Sequence, residues 1–158
     1  MTTQGMRVLI LGSMPGEMSL CMNQYYAHKQ NVFWKMMGEL IGARPELGYE
    51  QRIARLQASK IGLWDVLMSC QRNGSLDSAI DHATIQPNDL ATLYAKHPSL
   101  THVFFNGAKA EETYRRFVLP KLTADQAHLH YERLPSTSPA HAAMSYQEKL
   151  KAWRQILI

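Results

Sequence analysis

Three short apolar runs and a fourth, alternating one, each closed by a turn and separated by stretches of helical periodicity, constrain this chain more than any other feature. The first is residues 7–11, Arg7-Val8-Leu9-Ile10-Leu11, closed by Gly12-Ser13-Met14-Pro15-Gly16. The others are residues 60–67 with Asp65 near the end, residues 101–105 ending at Asn106-Gly107, and residues 128–134 running into Pro135-Ser136-Thr137-Ser138-Pro139. The three apolar runs read as buried strands, and residues 128–134 alternate well enough for a fourth strand. Between them lie predicted helices. One follows Asn31, where Phe33, Met36, Met37, Leu40 and Ile41 recur at helical spacing. Others cover Tyr49–Ala58, Asp89–Lys96 and Ala108–Phe117. The last opens on the capping box Ser145-Tyr146-Gln147-Glu148 and carries a predicted buried stripe of Leu150, Trp153 and Leu157. Residues 17–30 read as a polar and aromatic loop. Residues 69–88 read as polar and irregular, with a short helix around Leu76–Ile80. Strand alternating with helix implies a three-layer α/β/α fold around a central four-stranded, mainly parallel sheet.

The 158 residues fit a single domain, 1–158, and 46% hydrophobic with 19% charged residues excludes wholesale disorder. No apolar run approaches the ~20 residues of a membrane span. No secretory signal is visible at the N-terminus, and two distant cysteines, Cys21 and Cys70, suit a reducing cytoplasm. They are too few for a four-cysteine cluster, and the seven histidines show no metal-ligand spacing, so no metal site is expected. A net charge of +4 is compatible with a polyanionic partner, although the only basic doublet, Arg115-Arg116, is equally a solvated helix face.

Active sites of parallel α/β folds gather at the C-terminal ends of the strands. Five pieces should therefore converge: Gly12–Gly16, Tyr25–Asn31, Asp65, Asn106-Gly107 and Pro135–His141. Backbone amides near Gly12 and Ser13 can bind a polar ligand edge, and so can a plain turn. A tyrosine can stack on a base or half-bury against the core. The Asn31 carboxamide can hold a water or cap its helix, and the two roles compete for one side chain. Asn106 can read a base edge or serve as a turn residue. The hydroxyls of Ser136, Thr137 and Ser138 suit phosphate, and the same residues make an ordinary connection. His28 reads as an exposed loop residue, and Asp65 as an anchor for an arginine such as Arg72.

Taken in order, LGSMPG, YYAHKQNVFWKMM, GLWDVLMSCQRNGSLDSAI, HVFFNGAKA and LPSTSPAHAAMS resemble the uracil-DNA glycosylase superfamily, and within it the hypoxanthine-DNA glycosylase branch. The resemblance runs from Val8 to Trp153. It implies a monofunctional base-excision enzyme that hydrolyses the N-glycosidic bond of hypoxanthine, uracil or xanthine in DNA. It implies no cofactor and a monomer acting in the cytoplasm, at the nucleoid in a bacterium. Asn31 would be catalytic, and Tyr26 would stack on the flipped base. Gly12, Ser13 and Asn106 would hold that base, and the loop with Ser136, Thr137, Ser138 and His141 would enter the duplex. Mismatch-specific relatives carry a catalytic asparagine where this chain has Met14, which cannot orient water. Relatives also place a bulky wedge where this chain has Ala140, which leaves His141 as the candidate. Two other readings stay open: a noncatalytic DNA- or nucleotide-binding module, and a hydrolase of small nucleosides.

Overall fold

The computed structural model describes residues 1–72 and 80–158. The sheet contains β1 (Val8–Gly12), β2 (Ile61–Asp65), β5 (His102–Asn106) and β6 (His130–Leu134), in the spatial order β2-β1-β5-β6. All three pairings are parallel, with Ile10 opposite Leu63 on one side and opposite Phe104 on the other. Two further strands, β3 (Leu67–Arg72) and β4 (Ile80–Pro87), pair antiparallel as a separate ribbon. The helices are α1 (Glu17–Met22), α2 (Phe33–Ile41), α3 (Tyr49–Ala58), α4 (Leu90–Lys96), α5 (Ala108–Phe117), α6 (Ala124–Ala127) and α7 (Tyr146–Trp153).

Side chains alternate across a strand, so each strand feeds both faces of the sheet. Val8, Ile10, Phe104 and Leu134 pack with Phe33, Met36 and Met37 of α2, Leu56 of α3 and Trp153 of α7. Leu9, Leu11, Val103 and Phe105 pack with Leu90 and Tyr94 of α4 and with Ala110 and Tyr114 of α5. Every residue of β1 is buried, which is why its sequence is an unbroken apolar run. The three layers and the all-parallel sheet agree with the expectation from sequence.

Four local expectations are corrected. Residues 17–30 are not all loop: α1 forms at their start, closed by Asn23 in the left-handed region at φ 51°. The run over 60–67 is not one strand. After Asp65 the chain turns, Val66 N–H donating to Gly12 C=O at 2.8 Å, and Leu67 begins the ribbon that replaces the irregular segment. The short helix expected over 76–80 lies outside the described residues except for Ile80, which begins β4. Leu157 is exposed and Ile156 is buried in its place. The reason is a change of pitch: α7 ends at Trp153 and Arg154–Ile156 tighten into a 3-10 turn, which advances the buried face by one residue. Among the described residues no helix is long and apolar enough to cross a membrane.

Candidate active site

The strand order reverses direction between β1 and β5, since the chain steps outward from β1 to β2 and later from β5 to β6. A parallel sheet opens a crevice at such a point, beyond the carboxyl ends of the two inner strands. A cleft of about 720 Å³ lies there, within the usual range for a ligand pocket. Its wall includes Gly12 and Ser13 from the end of β1, and Asn106 from the end of β5. Tyr26 and Asn31 come from the segment before α2. Ser136, Thr137, Ser138 and His141 come from the loop after β6. Every site residue expected from the sequence therefore lines one cleft.

The loop after β6 is held from four directions. The Asn106 carboxamide binds Thr137 in both senses, its Nδ2 donating to Thr137 Oγ1 and its Oδ1 accepting from Thr137 N–H, each at 2.9 Å. Asn106 and Thr137 are only 9% and 1% exposed, so this pair is shielded from competing water. Val32 N–H donates to Thr137 C=O at 3.1 Å, which ties the loop to the start of α2. Trp153 Nε1 donates to Pro135 C=O, and the Lys149 ammonium donates to His141 C=O at 2.6 Å. Lys149 is buried, and desolvation pulls its pKa below the usual lysine range. Within the loop, Ser136 Oγ accepts from Ser138 N–H and Ser138 Oγ accepts from Ala140 N–H. Each of these hydroxyls thereby keeps its own O–H as a donor. Gly107 makes the close packing possible: its φ is +95°, and a Cβ there would stand 3.0 Å from the Cβ of Ser136.

Asn31 serves its helix. Its Oδ1 accepts from Phe33 N–H at 3.0 Å, while Val32 occupies the cap position itself. An amide oxygen has two lone pairs, so the bond to Phe33 fixes the orientation of Oδ1 and leaves one acceptor site. Tyr26 sits in the left-handed region at φ 53° with its ring stacked on buried Phe33, centroids 4.1 Å apart. Its neighbour Tyr25 is anchored through Trp34 Nε1, which donates to Tyr25 C=O, and through its own N–H, which donates to Tyr49 Oη.

Asp65 stands at the strand end where the sequence put it, but its convergence with Tyr26 was not anticipated. It is the one carboxylate that lines the cleft among the described residues. A Cβ on Gly12 would lie 2.7 Å from Asp65 Oδ1 and 3.3 Å from the Tyr26 hydroxyl, so glycine is what allows these two groups to converge. Burial, aided by the charge of Asp65, holds the Tyr25 hydroxyl well above the usual tyrosine range. The signal was available, because Asp65 ends an apolar strand. Its proposed partner, the Arg72 side chain, lies outside the described residues. Met14 and His28 also line the cleft. No group of three or more potential metal ligands occurs among the described residues.

A sequence profile described as the uracil DNA glycosylase superfamily matches residues 2–157. The chain belongs to that superfamily. Two relatives of this superfamily member are hypoxanthine DNA glycosylases, one from Methanosarcina barkeri and one from Methanosarcina acetivorans. Each is 41% identical over 106 residues, a match that spans 66% of this chain and 66% of the relative. Its fold is similar to a solution NMR structure of a Methanosarcina acetivorans protein described as a uracil DNA glycosylase. That match has a TM-score of 0.77 and 32% identity, and covers 98% of this chain and 93% of the other.

Proposed function

We propose that the protein is a DNA glycosylase that removes hypoxanthine from deaminated DNA. The observation that carries this reading is the cleft itself: an aromatic ring, two carboxamides and a hydroxyl loop converge where a parallel sheet opens, in a member of this superfamily. The names of the two Methanosarcina relatives support hypoxanthine over other bases.

The bond to be broken joins C1′ of the sugar to a ring nitrogen of the base and is hidden in the duplex, so the nucleotide must be flipped out. The hydroxyls of Ser136 and Ser138 donate to phosphate oxygens, and the net charge of +4 favours the approach of the polyanion. The base enters the cleft against Tyr26, whose other face already rests on Phe33. Asn106 has spent one Nδ2 hydrogen and one Oδ1 lone pair on Thr137, and keeps one of each for the base edge. As the bond breaks, the electron pair leaves with the base and positive charge develops on the sugar. Backbone amides near Gly12 and Ser13 stabilise the departing base. A water donates to the remaining lone pair of Asn31 Oδ1 and adds through its oxygen to C1′. An amide is a weak base, so the water's proton passes on to solvent and Asn31 contributes by positioning.

The test is base release from matched duplexes containing deoxyinosine, deoxyuridine or neither, read by alkaline strand cleavage. Cleavage at deoxyinosine is expected, and Asn31→Ala should slow it by about 100-fold or more. The same variant loses its bond to Phe33 N–H, which costs about 1 kcal/mol of stability, so a urea melt must accompany the assay. Cleavage at deoxyuridine alone would move the preferred substrate to uracil. Salt-sensitive DNA binding without base release would favour the noncatalytic alternative, which the cleft position of Met14 supports.

A further inference from the structure

The helix α1 is apolar in composition, Glu17-Met18-Ser19-Leu20-Cys21-Met22, yet none of its residues is buried. Met18, Leu20 and Met22 are 46%, 58% and 49% exposed. A surface helix ordinarily lays its apolar stripe on the core. This one is held by its own ends and by Ser19, whose Oγ accepts from Ala27 N–H at 3.1 Å. Met18 and Leu20 both line the cleft that Asn31 lines, so an occupant of the cleft meets them on its way in. In the same cleft wall, the loop that would enter the duplex offers Pro139, Ala140 and a half-buried His141, with no bulky apolar side chain among them.

Flipping a nucleotide leaves a gap in the base stack, and proteins that open stacks do so with apolar side chains set between base steps. We propose that α1 supplies this contact: Met18 and Leu20 pack against the bases that flank the extruded nucleotide and keep the stack open while the base occupies the cleft. The occupant of the α1 surface is the DNA duplex, because that surface is continuous with the wall of the cleft. Methionine, unbranched and adaptable, suits a partner whose flanking bases vary. The inference rests on the glycosylase reading.

The experiment compares the parent chain with Met18→Ala, Leu20→Ala and the double variant. Single-turnover base release is measured from deoxyinosine in a duplex and in the same single strand. In the double variant the ratio of duplex to single-strand rates should fall at least tenfold, because only the duplex has a stack to hold open. In a second readout, 2-aminopurine next to the deoxyinosine should brighten on binding to the parent and not to the double variant. In a third, alkylation of exposed Cys21 should slow when duplex is added. An unchanged rate ratio with unchanged 2-aminopurine brightening would overturn the proposal while leaving the glycosylase reading intact. So would a parent dimer that the double variant abolishes, which would assign α1 to a second copy of the chain. Failure of the parent to release any base would sink the functional reading, and this proposal with it.

Discussion

A single planar amide decides where the loop after β6 sits. Asn106 ends a buried strand, and its carboxamide satisfies both the N–H and the hydroxyl of Thr137 in a place largely shielded from water. Removing it leaves a buried donor without a partner. Asn106→Ala is therefore expected to lower the unfolding free energy by about 2 kcal/mol, and a urea titration measures it. Base release should fall further than stability, because the hydroxyl loop loses its reference point. A double-mutant cycle with Thr137→Val should show coupling of about 1–3 kcal/mol, since the two residues are in direct contact. The sequence marked Asn106 at the end of an apolar strand and Asn31 at the head of an apolar helix, and it marked Tyr26 as an aromatic able to stack on a base. It could not tell what their atoms bind. That Asn106 is shared between Thr137 and the cleft follows from packing between segments far apart along the chain, whereas the bond of Asn31 to Phe33 N–H is local and close to the cap role the sequence offered. Asp65 shows the same limit: its strand-end position was legible, and its convergence with Tyr26 over Gly12 was not.

At the scale of elements, β1, β2 and β5 were the most legible because they are largely buried and leave an apolar signature, whereas the edge strand β6 shows only an alternation. The β3–β4 ribbon has no such signature. Its pairing register shifts between Leu67 and Ser69 and again between Ser69 and Gln71, which breaks the alternation a reader would look for. Helix α1 was hidden for the opposite reason: with no buried residue it has no stripe to reveal. The connection from β5 to α5 depends on Gly107, where a left-handed backbone and a 3.0 Å approach to Ser136 coincide. Gly107→Ala should cost about 1–3 kcal/mol and should displace the hydroxyl loop. Melting and base release are expected to fall together, in contrast to Asn31→Ala, where release falls far more than stability.

Across the whole molecule, one buried hydrogen-bond chain makes stability depend on alkaline pH. Tyr94 and Tyr114 share a hydroxyl contact at 2.9 Å, Tyr114 donates to Tyr131 at 3.1 Å, and Tyr131 donates to Gln126 C=O at 2.9 Å. Burial is the largest cause that raises the pKa of each of the three. A raised tyrosine pKa means that the folded state retains protons the unfolded chain releases. The stability is full below the ordinary value of ~10 and is lost as pH climbs above it. Urea midpoints should hold from pH 8 to about 10 and then drop, and Tyr131→Phe, which removes one of the three ionising groups, should soften the drop.

The strand order carries a consequence for how the protein comes into being. The cleft draws on residues from Gly12 to His141, and its wall is tied by bonds from β5, α2 and α7 into the loop after β6. A ribosome must therefore deliver the last helix before the first loop has anything to work with. A half-made chain has a strand, an aromatic segment and a carboxamide, and no pocket. The cleft thus has no half-formed stage during synthesis: it closes only once the chain from Gly12 through α7 has emerged.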